Sequence, residues 1–211
     1  LRNSGDTDVP RDQVVGYGAW LFFEGDDAPG RRTKGDGDPL AVAQAMLKRH
    51  GRGLLALAAS SIDHGLAHGR PLPPALATVP DELREHGAAF VTLKKDGRLR
   101  GCIGSAEARQ PLAADVAENA FRAAFHDPRF PKLTADERKG LDLSVSVLTK
   151  PEAMTFDDQA HLLSQLRPGI DGLIIADGSR RALFLPAVWE QLPQPESFLA
   201  HLKAKAGMAA D

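Results

Sequence analysis

Residues 87–105 read GAAFVTLKKDGRLRGCIGS, with an apolar run on each side of Asp96-Gly97. An Asp-Gly pair suits the positive φ angles of a two-residue turn, and apolar runs on both sides of it are typical of paired strands. The pattern therefore predicts a β-hairpin formed by residues 88–94 and 98–103. Its second strand carries the only cysteine of the chain.

Helical and strand patterns alternate around this hairpin. Residues 110–126 carry apolar side chains at three- and four-residue steps, which predicts a helix with Pro111 in its first turn. Residues 141–147 alternate apolar and polar, as on a half-buried strand. Other predicted elements are helices over 40–50 and 54–68, broken at Gly51 and Gly53, helices over 157–166 and 196–206, a short helix capped by Thr134 and Glu137, and a hairpin turning at Asp177-Gly178.

These elements do not follow a repeating strand-helix-strand order. Two hairpins, an isolated strand and several helices favour an α+β fold, with a mainly antiparallel sheet flanked by helices, over a doubly wound fold.

Charge and cysteine usage exclude several classes of protein. The chain has 26 basic and 28 acidic residues, so it lacks the positive excess of a phosphate-binding surface, and we expect no nucleic acid partner. A single cysteine forms no intrachain disulfide, which favours a reducing compartment, the cytoplasm. No apolar run approaches the roughly 20 residues that cross a bilayer, so no membrane association is expected.

The first 38 residues differ in composition from the rest. Residues 14–23, VVGYGAWLFF, read as a strand, whereas residues 24–38 are rich in Gly, Asp and Arg and are typical of a flexible linker. Residues 1–23, with NSGDT followed by VVGYGAW, resemble the C-terminal tail of Memo-like proteins of the LigB-type superfamily. That resemblance implies that the chain is the rear part of a longer fusion.

Several later motifs occur in an order that resembles the AMMECR-domain family, also called AmmeMemoRadiSam system protein A. They are GAAFVTLKKDGRLRGCIGS, PLAADVAENAFRAAFHDPRF, VSVLTKPE, LRPGIDGLII, FLPAVWEQLP and FLAHLKAKAGM. The match extends over residues 39–211. The resemblance implies an α+β fold with a larger and a smaller subdomain. It also implies a pathway shared with Memo-like and radical-SAM proteins, without assigning a reaction or a cofactor.

The stretch around Cys102 has two interpretations. On a strand, residues two apart face the same side, so Arg100 would lie beside Cys102 and favour its thiolate. Gly101 and Gly104 would then let a ligand approach the backbone closely. The alternative is structural, because free cysteine is often buried and a glycine in a strand often marks a bulge.

The segment His126-Asp127-Pro128-Arg129-Phe130, at the end of the predicted helix over 110–126, also has two interpretations. In the functional one, Arg129 binds an anion and Asp127 or His126 moves protons near Cys102. In the structural one, each residue serves the turn that ends the helix.

Other candidate residues carry weaker patterns. The sequence contains no metal-ligand motif; His64 and His68 stand one helical turn apart and read as a solvated face. No Walker loop, GxSxG motif or dinucleotide fingerprint is present.

Two hypotheses about function remain. In the first, the chain is an enzyme in which Cys102 acts as nucleophile or redox thiol on a small anionic substrate, helped by Arg100, Asp127 and Arg129. In the second, it is a non-catalytic module that binds a ligand or a partner of the Memo-like or radical-SAM type.

Overall fold

The computed structural model describes residues 13–23 and 39–209. Its strands are β1 Gln13–Phe23, β2 His86–Lys95, β3 Arg98–Gly104, β4 Gln110–Pro111, β5 Leu141–Leu148, β6 Glu152–Ala153, β7 Asp171–Asp177 and β8 Arg180–Phe184. Its helices are α1 Pro39–His68, α2 Asp81–Arg84, α3 Leu112–Phe125, α4 Ala135–Arg138, α5 Gln159–Gln165 and α6 Pro195–Ala206, with 3₁₀ turns at Leu76–Thr78 and Pro186–Glu190. The α+β class, with an antiparallel sheet flanked by helices, is confirmed.

The chain forms two compact units. Unit 1 contains residues 44–147 and unit 2 contains residues 148–209 together with most of β1. The linker predicted over 24–38 lies outside the described residues, whereas the strand predicted over 14–23 is confirmed as β1. Within the described residues, no helix is both long enough and apolar enough to span a bilayer.

Unit 1 is built on the predicted hairpin. β2 and β3 pair antiparallel, and the turn residues Asp96 and Gly97 have φ angles of 50° and 74°, which confirms the turn. Further along, the register shifts between Leu93 and Lys94. This shift leaves Arg100 as an extra residue on β3, because its neighbours Leu99 and Gly101 face Lys94 and Leu93.

Helix α3 packs on the hairpin and forms the core of unit 1 with it. It begins at Leu112 rather than at residue 110, because Gln110 and Pro111 form the short strand β4 against β2. Its predicted apolar face is buried, as are the alternate positions of β5.

The predicted break in the first helix is wrong. α1 runs through Gly51 and Gly53 without interruption to His68. Leu54, Ala58 and Ile62 are fully buried against the rest of unit 1. Burying each large apolar side chain stabilises by about 2 kcal/mol, which outweighs the cost of about 1 kcal/mol for each glycine in a helix.

Unit 2 combines parallel and antiparallel pairs. β1 lies parallel to β7 and β6, whereas β7 and β8 form the second predicted hairpin. Its loop is Gly178-Ser179, one residue later than predicted, because Asp177 already pairs with Arg180. In the core of the unit the ring of Trp189 stacks on Phe198 with centroids 3.8 Å apart.

The predicted N-terminal cap of α4 and the predicted C-terminal glycine of α6 are both confirmed. Thr134 and Glu137 form the capping box of α4. Gly207 follows α6 in the left-handed conformation, with φ of 72°.

Two glycine-to-alanine substitutions test the packing of α3 against β3. A Cβ at position 101 would lie far inside the contact distance of the Ala123 carbonyl oxygen, whereas a Cβ at position 53 of α1 would contact nothing within 4 Å. We expect Gly101→Ala to destabilise the fold by about 2 kcal/mol or more, because backbone would have to move.

Gly53→Ala is the matched control, and it should stabilise by about 1 kcal/mol through helix propensity. Urea unfolding of both variants measures the two changes. Equal effects of the two substitutions would contradict the close approach of α3 to β3.

Candidate functional site

The two predicted clusters meet at the outer edge of β3. Asp127 Oδ2 accepts a hydrogen bond from the Cys102 amide at 2.8 Å, and Arg129 Nη2 donates to the Cys102 carbonyl oxygen at 3.2 Å. β3 is the last strand of its sheet among the described residues. In an antiparallel pair, every second residue of a strand points its N–H and C=O groups away from the partner strand, and Cys102 is such a residue of β3. Asp127 and Arg129, here called the edge clamp, therefore occupy the hydrogen-bonding positions of a neighbouring strand.

Asp127 is the buried half of the edge clamp. It is only 3% exposed and accepts three further hydrogen bonds from the backbone and guanidinium of Arg129, at 2.7–3.1 Å. The hydrogen bonds from Arg129, followed by that from the Cys102 amide, hold the pKa of Asp127 far below its usual 3.8, against the opposing effect of burial. Asp127 is thus a fixed anion that positions its neighbours, and it does not exchange a proton near neutral pH.

Arg129 is the accessible half of the edge clamp. Its side chain is 53% exposed, and its guanidinium lies over the ring of Phe130, 5.5 Å from the centroid. The hydrogen bonds to Asp127 raise the pKa of Arg129, against the opposing effect of burial. Arg129 therefore presents a permanent positive charge beside the backbone of Cys102.

Arg100 is held by a partner that the sequence did not reveal. Its guanidinium forms a bidentate ion pair with Glu137, with Nε–Oε1 at 2.8 Å and Nη2–Oε2 at 3.0 Å. Arg100 is the unpaired extra residue of a β-bulge in β3. The rule that residues two apart on a strand face the same side, which placed Arg100 beside Cys102, therefore does not apply here. Arg100 is only 8% exposed as a residue, and its guanidinium is bound by Glu137.

Glu137 links this pair to helix α4. It also accepts hydrogen bonds from the amide and hydroxyl of Thr134, at 3.0 and 3.2 Å. The hydrogen bonds from Arg100, with those from Thr134, lower the pKa of Glu137 to about 2. Sequence reasoning found Glu137 only as a capping residue, because the Arg100 contact spans 37 positions.

Cys102 is a partly exposed free thiol. Its sulfur accepts a hydrogen bond from Thr92 Oγ1 at 3.3 Å, and Thr92 is its cross-strand partner on β2. The position thus differs from a cysteine sealed in an aliphatic core.

Both predicted ligand-binding glycines have packing partners. A side chain at Gly101 would collide with the Ala123 carbonyl oxygen of α3, and one at Gly104 would collide with the ring of Phe90. Protein atoms therefore occupy the space that each missing side chain leaves.

A second pair of side chains, missed by the sequence analysis, repeats the geometry of the edge clamp on β2. Asp115 Oδ2 accepts from the Ala89 amide at 2.8 Å, and Asn119 Nδ2 donates to the Ala89 carbonyl at 3.2 Å. Burial raises the pKa of Asp115, against its hydrogen bond from Ser105. The sequence signal that could have revealed this pair is the spacing of four residues between Asp115 and Asn119, which places both on the same face of α3.

No group of three or more His, Cys, Asp and Glu residues is placed to hold a metal ion in the part of the chain that the structure describes. His126 is exposed and contacts the ring of Phe121 edge-on, with centroids 5.0 Å apart.

Comparison with known proteins identifies relatives of this fold. The AMMECR1 family profile matches residues 55–211. A protein of Methanothermobacter thermautotrophicus is 40% identical over 168 residues, which are 76% of this chain and 84% of the relative. Protein MK0488 of Methanopyrus kandleri is 34% identical over 178 residues, 81% of this chain and 83% of the relative.

A solved structure has a similar fold. The crystal structure of the uncharacterized protein PH0010 from Pyrococcus horikoshii superimposes with a TM-score of 0.69 at 34% sequence identity. The superposition covers 77% of this chain and 82% of that one.

The ion pair between Glu137 and Arg100 predicts a pH-dependent contribution to stability. Glu137→Gln keeps the capping function but removes the charge. At pH 7 we expect a loss of about 2 kcal/mol, between the values for exposed and buried pairs. Because the folded pKa of about 2 lies below the usual 4.5, the contribution is complete above pH 4.5 and is lost as the pH falls towards 2.

Urea unfolding of wild type and variant at pH 7 and pH 3 measures this difference. Asp136→Asn, at the exposed neighbouring position, is the control and should change little at either pH. If the free energies of unfolding of wild type and Glu137→Gln differ by the same amount at both pH values, the ion pair does not make the expected contribution.

Proposed function

The chain belongs to the AMMECR1 family, and from that premise we propose that it is an enzyme acting on a small anionic substrate at the outer edge of β3. Cys102 is the reacting group, and Arg129 binds the anion. One observation carries the proposal. Cys102 is partly exposed, and its own carbonyl oxygen accepts a hydrogen bond from the half-exposed guanidinium of Arg129.

The proposed anion site uses Arg129 rather than Arg100. A guanidinium donates N–H groups to a carboxylate or a phosphate. In Arg129, Nε and Nη2 already donate to Asp127 and to the Cys102 carbonyl, so the donors proposed for the anion are those of Nη1. Arg129 is held in place by Asp127 yet remains open to solvent over half of its surface, whereas Glu137 engages Arg100. In this proposal Arg100 and Asp127 support the geometry of β3, and Gly101 and Gly104 allow the close packing behind it.

The proposed chemistry starts from the thiolate, which forms when Cys102 gives its proton to water. The sulfur forms a bond to an electrophilic atom of the substrate, and a leaving group departs with the displaced electron pair. A water molecule then displaces the sulfur, which releases the product and restores the thiol. The Thr92 hydroxyl supports the sulfur by donating to it. Asp127 serves as a positioning residue, since its low pKa makes it a poor proton acceptor.

A second candidate function is a binding module without catalysis. One observation favours it: among the described residues, Thr92 is the side chain that hydrogen-bonds to the Cys102 sulfur, and its hydroxyl donates the proton. A cysteine nucleophile is often paired with a histidine or another base that accepts its proton. A module of this kind would use the same surface to hold an anion or a partner protein.

The resemblance to AmmeMemoRadiSam system protein A extends the proposal to partners. A Memo-like protein and a radical-SAM protein would then act in the same pathway, and the small anion would be a product or a substrate of one of them.

Two alkylating reagents that differ in charge test the anion site. Iodoacetate is an anion and iodoacetamide is neutral, so the ratio of their rates with Cys102 measures attraction of the anion separately from the reactivity of the thiol. In Arg129→Gln we expect the ratio to fall by about fivefold, the factor that corresponds to a charge interaction of about 1 kcal/mol. Mass spectrometry of the alkylated chain gives both rates.

Arg98→Gln is the matched control, because it removes the same charge from an exposed position of the same strand. It should leave the ratio nearly unchanged. Equal ratios in the wild type and Arg129→Gln would exclude Arg129 as the anion site. Slow alkylation of the wild type by both reagents would reject the enzyme and favour the binding module.

A further inference from the structure

Two histidines lie together at the end of α1, well apart in sequence from the edge clamp. His64 and His68 are four residues apart on the last turns of the helix. Their ring centroids are 4.4 Å apart, with the ring planes inclined by 47°. Both residues are accessible to solvent, His64 partly and His68 largely. The helix thus presents two imidazoles side by side on one face.

The backbone determines which nitrogen of His64 is available. Its Nδ1 lies 2.8 Å from the carbonyl oxygen of Arg70. A carbonyl oxygen only accepts hydrogen bonds, so Nδ1 carries the proton and Nε2 of the neutral ring keeps its lone pair. Metal-binding histidines commonly donate their second ring nitrogen to a backbone carbonyl or carboxylate in this way, which fixes both the tautomer and the ring orientation.

The helix terminus also favours a cation at this place. His68 is the last residue of α1, and Gly69 ends the helix with φ of 69°. The carbonyl groups at a helix C-terminus carry a partial negative charge that stabilises nearby cations. Asp63, which precedes His64 in the sequence, is bound by Arg138 at 2.7 Å, so we count only the two imidazoles as protein ligands.

We propose that His64 and His68 bind one divalent transition-metal ion, with Nε2 of His64 and a ring nitrogen of His68 as ligands. Imidazole suits Ni²⁺, Cu²⁺ and Zn²⁺, and Ca²⁺ and Mg²⁺ would not bind because they require oxygen ligands. Water fills the remaining coordination positions. The site therefore keeps exchangeable positions at which a small ligand or a side chain of another protein can coordinate the ion.

Ni²⁺ is the probe of choice, because Cu²⁺ also oxidises thiols. Isothermal titration calorimetry of the whole chain with NiCl₂ at pH 7.5 should show one site that is lost, or weakened by about tenfold or more, in His64→Gln and in His68→Gln. MgCl₂ should give no binding. In the wild type, paramagnetic Ni²⁺ should broaden the imidazole NMR signals of His64 and His68 before those of the other histidines.

His201→Gln is the matched control. His201 is also exposed on a helix, and its Nδ1 is also bonded to a backbone carbonyl, that of Ser197 at 2.8 Å. This variant should bind Ni²⁺ like the wild type. Absence of a Ni²⁺ site in the wild type, equal binding by all three variants, or broadening that spares His64 and His68 would each overturn the proposal. The NMR result holds even where a variant folds poorly.

Discussion

The hydrogen bond from the Cys102 amide to the buried carboxylate of Asp127 is the constraint on which the rest of unit 1 depends. A strand at the edge of a sheet exposes unpaired peptide groups, which invite pairing with other chains. Here Asp127 accepts the amide proton and Arg129 donates to the carbonyl, so the edge is closed at Cys102 without another strand. Because Asp127 directly follows the last turn of α3, the same contact fixes the end of that helix against β3.

Helix α3 makes such contacts near both of its ends. Asp115, in its first turn, and Asn119, one turn further along, bind the peptide groups of Ala89 on β2. Just beyond the end of the helix the edge clamp binds Cys102 on β3. The close approach of β3 to Ala123 at Gly101 lies near the second of these contacts. The glycines around Cys102 thus have a packing origin. Cys102 itself is partly exposed, and as the neighbour of Gly101 on the strand it faces the opposite side of β3.

Local patterns in the sequence predicted local structure well. The Asp96-Gly97 turn, the buried face of α3 and the capping box of α4 each depend on residues a few positions apart, and all three were found. The contact between Arg100 and Glu137 was not found, because no local pattern around Glu137 indicates a partner 37 positions away. The continuity of α1 was also missed, since tertiary burial outweighs the weak helix propensity of Gly51 and Gly53.

Amide hydrogen exchange at Cys102 tests the edge clamp most directly. The account predicts that the Cys102 amide of the wild type exchanges slowly although it lies on the outer edge of β3, and that Asp127→Ala accelerates it strongly relative to amides paired inside the β2–β3 ladder. Exchange in the wild type as fast as that of an unprotected edge amide would contradict the account.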